Sequence, residues 1–423
     1  MTSNHAQSNQ APAPSSSSLA ALNAANFFQA EALGVVMPLL GGLLRSAGWS
    51  YDTIGLATAM GGLGTLLFQA PAGWLTDRIP ARRALFSVAC LMVGGGFALL
   101  PAALHRAPLV LAVLFATGAA GSFFGPLLAA LALSLVGHAR LNPTIGSNQG
   151  WNHAGNIAAA LSGMLVVAHF GFAGVFYAVG IASLLAAASA LMIRSSDLNP
   201  VLATGLTDNR KAPTPVMALL RQPAIAALFV AVALFHFANA PILPAVALYV
   251  KRLGGSSVLM AATVLTAQSV MVPVAFLAGR LVDSWGRKPV MSVAFWVLPL
   301  RILSYSFVHS PAALVVLQLL DGVGAGIYGV AILSMAADLT RGQGGFNTLT
   351  GLFATAVSVG GVLGPLLTGV LIQRLGFVAM FVLFAALAAG GAIWFQVMVP
   401  ETSGSAAGFP QAIAAGVTSP PEC

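Results

Sequence analysis

The sequence predicts an all-α integral membrane protein with twelve transmembrane helices arranged as two six-helix, pseudo-symmetric bundles. Three observations predict it: a composition almost empty of charge, twelve apolar runs of membrane-spanning length, and an internal repeat at an offset of 206 residues.

Of 423 residues, 58% are hydrophobic and only 7% are Asp, Glu, Lys or Arg, against roughly 25% charged in an ordinary soluble domain. A soluble protein needs charge to cover its surface; a chain facing lipid needs the reverse. The two cysteines, Cys90 in an apolar run and Cys423 at the terminus, offer neither a disulfide framework nor metal-ligand spacing. There is no phosphate loop, so ATP hydrolysis is not expected to drive the protein. No enzymatic constellation and no cofactor site is expected.

Crossing roughly 30 Å of hydrocarbon takes about 20 helical residues. The apolar runs, numbered as spans 1 to 12, cover Leu19–Leu44, Tyr51–Trp74, Arg83–Leu104, Pro108–Val136, Pro143–Ala168, Phe172–Ile193, Pro223–Tyr249, Ser257–Leu281, Pro289–Val308, Pro311–Ala336, Phe346–Ile372 and Gly376–Val399. Inside lipid each backbone must satisfy its own polar groups, so the runs are helices. The expected organisation is a disordered cytoplasmic tail over 1–18, a bundle over 19–193, a cytoplasmic linker over 194–222, a second bundle over 223–399 and a tail over 400–423. The first basic residue is Arg45, so residues 1–18 lack the basic start of a signal peptide.

With both termini cytoplasmic, the inside loops hold twelve basic residues (Arg78, Arg82, Arg83, Arg140, Arg194, Arg210, Lys211, Arg221, Arg280, Arg287, Lys288 and Arg341) and the outside loops five. That bias follows the positive-inside rule. It assigns the formal charge of +8 to topology in the inner (plasma) membrane and not to nucleic-acid binding.

The repeat aligns Ala72-Gly73-Trp74-Leu75-Thr76-Asp77-Arg78 after span 2 with Ala278-Gly279-Arg280-Leu281-Val282-Asp283-Ser284 after span 8. The same register relates Pro38 to Pro244, Gly155 to Gly361 and Gly163 to Gly369. Parallel repeats of this kind are one plan of secondary transporters, with the binding site between the halves.

On these residues the chain resembles the major facilitator superfamily over essentially its whole length. That family's signature loop reads G-x-x-x-D-(R/K)-x-G-(R/K)-(R/K). Here it stands as Gly73, Asp77, Arg78, Arg82 and Arg83, with Pro80 and Ala81 replacing Gly and a basic residue. The second copy has Gly279, Asp283, Gly286, Arg287 and Lys288, with Ser284 at the first basic place. The resemblance implies gating loops that latch one side shut, carried by Gly73, Asp77, Arg78, Gly279, Asp283 and Arg287. Gly permits close helix approach, and Asp suits a helix N-terminus. On the simpler reading, Arg82, Arg83, Arg287 and Lys288 only anchor topology. The patterns of proton-coupled exporters are missing from their usual places: Leu114 stands where span 4 would carry Arg, and Ala154, Ala158 and Ala159 where span 5 would carry Gly and Pro, while a close version of the second pattern occurs in span 11 as Gly360, Gly364, Pro365 and Gly369.

Ionisable groups inside the membrane are costly and commonly mark substrate or proton paths. Glu31, near the middle of span 1, is expected to couple protons, with Asp321 and His236 as further candidates. Arg301 and Asp321 fall roughly 10–15 Å from the shared outer end of spans 9 and 10, which predicts an ion pair. The expected substrate cavity comprises Asn23, Asn26, Asn239, Gln149, Trp151, Asn152, His153, Asn156 and Tyr328. The bland reading of each His is an interior residue with its needs met, and most large side chains here should face lipid. No His or Cys pair has metal-ligand spacing.

The expected function is secondary active transport of a small organic solute by a monomer, coupled to protons, with export by antiport narrowly preferred. Uptake by symport and a non-transporting sensor with the same fold are the alternatives.

Overall fold

The computed structural model describes residues 14–206 and 212–403. Most of both expected tails lies outside the described residues, as do Arg210 and Lys211 of the linker and the side chain of Pro38. Span 1 is formed by α1 (Ser16–Gly34) and α2 (Val36–Ser46), span 2 by α3 (Tyr51–Arg78), span 3 by α4 (Arg82–Ala103), and span 4 by α5 (Ala107–Gly121) with α6 (Phe124–Val136). The single helix α7 (Leu141–Met192) carries spans 5 and 6. After the short linker helix α8 (Val216–Leu220), span 7 is α9 (Pro223–Asn239) with α10 (Ile242–Arg252) and span 8 is α11 (Ser257–Ser284). Span 9 is α12 (Arg287–Ser304), span 10 is α13 (Pro311–Thr340), and α14 (Phe346–Met398) carries spans 11 and 12.

Eight stretches of the described residues are long and apolar enough to cross a membrane. Two of them contain α7 and α14, whose 52 and 53 residues exceed one crossing at about 1.5 Å per residue. Each turns at a glycine: Gly171 at φ 67, ψ −175 and Gly376 at φ 83, ψ 174, a conformation a side chain would strain. Counting each as two gives ten. The bent α1–α2 pair and α12, whose 18 residues hold Arg287, Lys288 and Arg301, complete twelve.

Three spans expected to be continuous are broken. Span 1 breaks at Val35, whose N–H turns to Leu33 O. Span 7 breaks at Ala240 and Pro241, the place that an offset of 206 from Val35 reaches. Span 4 breaks between Gly121 and Phe124, without a counterpart in α13. Interrupted helices survive at membrane depth where they are buried in protein or line a cavity.

Within the first half α7 packs on α1 and α4, and α5 on α3 and α4; within the second, α9 packs on α14, and α11 and α12 on α13. The halves meet along two seams, α3 against α14 and α7 against α11. Each half has its own aromatic core. Phe86 meets Phe124 in the first, and Phe295 stacks on Phe395 at 4.3 Å in the second.

Span 1 starts at Ser16, three residues earlier than its apolar run, because polar groups hold it there. Ser15 caps α1 by accepting from Ser18 N–H at 3.3 Å. Asp197, beyond span 6, accepts from the Ser15 hydroxyl, the Ser15 N–H and the Ser18 hydroxyl. The Ser15 hydroxyl and then that of Ser18 hold the Asp197 carboxyl down to about 2. A depressed carboxyl contributes stability above its unfolded value near 3.9 and loses it as pH falls through the folded value. Asp197→Ala should therefore lower the thermal midpoint at pH 6–8, with the gap from wild type narrowing as pH approaches 2. An unchanged gap across that range would remove the carboxylate from this role.

Candidate transport pathway and its latch

The two seams tighten at one end of the molecule, where the repeated loops lie. Asp77, at the end of α3 and 5% exposed, reaches across to the first turn of α14. Its Oδ1 accepts from Asn347 N–H (3.3 Å) and Nδ2 (2.8 Å), and its Oδ2 from Thr348 N–H (2.8 Å) and Oγ1 (2.6 Å). The carboxylate thus satisfies N–H groups that a helix start leaves open and sits at the positive end of the helix dipole. Gly73 makes the approach possible, since a Cβ there would stand 2.1 Å from Asn347 O.

The second seam repeats this more weakly. Asp283 accepts from Asn142 Nδ2 at 2.5 Å, at the start of α7, while its side chain stays 44% exposed and pairs with Arg287 at 3.3 Å. A Cβ on Gly279 would meet Asn142 O at 2.8 Å. Asn142 and Thr348 are themselves 206 residues apart, so the contact obeys the repeat.

The basic residues divide differently from the motif. Arg78 is exposed, lies 3.9 Å over its own Trp74 ring and donates to Trp74 O, so it does not join the halves. Arg82 is 5% exposed and donates to Thr76 O and Pro200 O. Arg287 donates to Val282 O, the repeat partner of Thr76 O, and pairs with Asp338 at 2.7 Å. Both therefore do more than anchor topology. The second loop performs the same task one residue early, because Gly286 turns at φ 97.

Away from the latch the halves enclose a cavity of about 380 Å³ between spans 1, 4, 5, 10 and 11. Its polar lining is Asn26, Gln29, Asn148, Gln149, Asn152, Tyr328 and Thr350, and no lining residue is charged. Asn148 Oδ1 and the Tyr328 hydroxyl are buried without a hydrogen-bond partner. Leaving such groups unpaired costs about 1–3 kcal/mol each. Tyr328 is fixed by stacking on Phe235 at 4.9 Å and by an edge contact with His236 at 4.6 Å.

A second cavity of about 500 Å³ lies farther from the latch, between spans 1, 5 and 8. Asn156 and Gln268 are its polar residues among apolar neighbours such as Val35, Leu39, Val167 and Val264. Gln268 also meets His153 Nδ1 at 2.9 Å, a contact between halves.

The expected cavity residues scatter over these places. Asn26, Gln149, Asn152 and Tyr328 line the inner cavity and Asn156 the outer one. Asn23 accepts from Ser147, and Trp151, 44% exposed with an edge contact to Phe27, lines neither cavity. The linings also include Gln29, Asn148, Thr350 and Gln268, which the sequence reading does not name, although Asn148 and Asn152 share a helical face.

Asn239 belongs elsewhere. It accepts from Arg301 Nη2 at 2.6 Å, and Arg301 is also ion-paired with Asp321. This buried group sits within the second half, beside Phe235 and Gly324. His236 is held between Phe235 and Tyr328, with its Nε2 unpartnered. Glu31 is half-buried, with no bonded partner among the described residues. At 100° per residue it shares a face with Gly34 and Val35 of the outer cavity and turns away from Asn26 and Gln29.

The family model described as Major Facilitator Superfamily matches residues 19–289 and again 228–419. An uncharacterized MFS-type transporter of Mycobacterium tuberculosis is 36% identical, over 90% of this chain and 93% of its own length. The multi-drug resistance efflux pump PmrA of Streptococcus pneumoniae is 23% identical, over 84% of this chain and 89% of its own. The crystal structure of a human organic anion transporter superposes with a TM-score of 0.71 at 17% identity, covering 90% of this chain and 99% of that one. That last likeness concerns the fold alone.

Two outcomes follow from this geometry. Asp77→Asn would set an NH₂ donor against the Asn347 or Thr348 donors, losing charged hydrogen bonds worth about 1.5–3 kcal/mol each. It should insert normally yet expose cysteines placed at the latch end to alkylation at least about tenfold faster, whereas Asp283→Asn should have a smaller effect. Labelling equal to wild type in both would contradict the latch. Separately, Arg301→Ala leaves a buried carboxylate unpaired, at a cost of about 3–5 kcal/mol, and the double exchange Arg301→Asp with Asp321→Arg should recover much of the lost expression.

Proposed function

The chain belongs to the major facilitator superfamily, and from that premise we propose that it is a proton-driven exporter of a small, uncharged organic solute. It is a multi-pass membrane transporter and not an enzyme. The observation that carries the solute's charge class is the inner cavity: it lies between the halves, its polar lining is amide and hydroxyl, and it holds no charge. An ionic solute would enter there without a counter-charge, at a steep desolvation cost. Asn148 and Tyr328 line the cavity, and their buried, unpartnered Oδ1 and hydroxyl are an acceptor and a donor at its wall.

Export is supported by the name of the PmrA relative, which aligns over most of both chains. The latch end faces the cytoplasm in this reading, with both termini there, following the basic-residue bias. The latched form then opens outward, and the transporter alternates by parting the Asp77 and Asp283 contacts.

Glu31 carries the proton. Asp321 is neutralised by Arg301 and Asp338 by Arg287, while Glu31 has no such partner among the described residues. It sits four residues before the break at Val35 in span 1, where a change of bend alters its surroundings.

Reconstituted protein of known orientation, preloaded with candidate solutes, tests both parts. Solute should leave the latch-end compartment against its gradient when protons enter from the other side, and Glu31→Gln should keep solute exchange while abolishing accumulation. Gradient-driven transport by Glu31→Gln at the wild-type rate and pH dependence would remove Glu31 from the mechanism. Solute and protons moving in the same direction would replace export with symport.

A further inference from the structure

We propose that the transported solute is a neutral amphiphile, with its hydrogen-bonding head in the inner cavity and its aliphatic portion in the outer one. This rests on the transport reading above and narrows it to a substrate class.

The two cavities are neighbours along α1 and α7. Leu33 lines the inner cavity and Gly34 the outer, and on α7 the lining passes from Asn152 to Asn156, one helical turn farther from the latch. Asn156 Nδ2 donates to Asn152 O at 3.2 Å, so the two amides mark the border between compartments. Their chemistry differs sharply. The inner cavity is lined by polar side chains, two of which, Asn148 and Tyr328, each carry a buried atom without a hydrogen-bond partner.

The outer cavity presents Val35, Leu39, Val167, Val264 and Leu265. Both of its polar residues are already engaged, Asn156 with Asn152 and Gln268 with His153. A wholly polar solute would leave about 500 Å³ of apolar space without a role in binding. A wholly apolar one would leave the inner donor and acceptor unpaired. A single molecule with one portion of each kind matches both at once.

The arrangement also orders the molecule. The head is nearest the latch, so the binding of a head bridging Asn148 of the first half and Tyr328 of the second bears directly on how the halves sit. The aliphatic portion points away from the latch, along α11 and the outer part of α7, whose Leu161 and Leu165 are about half exposed or more.

Binding to the full-length protein in lipid nanodiscs tests this, using n-alkyl glucosides and N-alkyl ureas from methyl to octyl at matched free aqueous concentrations. In at least one series affinity should rise by up to about fourfold per methylene, the equivalent of roughly 0.8 kcal/mol for each buried CH₂. Ala261→Phe and Ala160→Phe, which fill the outer cavity from two different helices, should flatten that dependence while leaving the shortest members bound. Tyr328→Phe with Asn148→Ala should weaken all members alike. Alkyl sulfates and alkyltrimethylammonium ions should bind at least tenfold more weakly at equal chain length.

Affinity independent of chain length in both neutral series, no binding by either, or charged heads binding equally well would each overturn the proposal. Chain-length-dependent binding without any solute transport would instead bring down the transport reading alone. Transport of a polar solute with no chain-length effect would bring down the amphiphile alone.

Discussion

The structure depends on one kind of contact, a carboxylate at the end of one helix capping the start of a helix in the other half. Asp77 on the first turn of α14 is the strong version, with four bonds from Asn347 and Thr348, and Asp283 on Asn142 is the weak one. Neither could form without the adjacent glycine, because backbone of the opposite half occupies the space a Cβ would need at Gly73 and Gly279. A charged cap at close backbone range is strong when made and absent when the helices separate by a few ångströms. That makes it suited to a contact that must be both firm and reversible. The asymmetry between the copies places most of the holding on the α3–α14 seam.

Closure at the latch shapes everything farther along the seams. The helices converge there, and beyond it between the halves lie first the amide-lined cavity and then the apolar one. The charges inside the bundles are kept out of that space. Arg301 is tied to Asp321 and Asn239 within the second half, and Arg287 to Asp338 near the latch. What is left for a solute is dipolar and apolar, with Glu31 as the one unpartnered acid among the described spans. Buried ion pairs add little net stability, yet losing one partner is severe. Their structural effect here is to keep the path neutral.

Much of this was legible in the residues. Hydropathy found all twelve spans because lipid demands long apolar helices, and the 206 register found both latch carboxylates and the glycines beside them. The partners of those carboxylates were equally readable. Asn142 and Thr348 obey the same register, and only the lack of a known motif around them kept them hidden. Arg78 and Arg82 illustrate the opposite problem: motif position favours the first, but Arg78 folds over its own Trp74 while Arg82 turns inward to Thr76 O and Pro200 O. Register also misleads within span 11. Gly361 and Gly369 meet open space, while Gly360 and Gly364 pack on span 7. The cavity lining was harder, since helical azimuth within one span says little about which neighbour it faces. Asn239 has the sequence position of a cavity residue, but Arg301 holds it inside the second half, and the polarity of Gln29 is easily masked by Glu31 two residues on.

The central claim is that the halves are joined at the latch end and part there as the far end closes. Spin labels measure this directly by pulsed electron resonance, with one pair at Arg140 and Ser284 beside the latch and another at His169 and Val258 at the far end, all exposed positions. The account predicts two populations whose distances change in opposite senses, the latch pair short when the far pair is long. Distances that stay fixed at both ends, or that lengthen together, would contradict it.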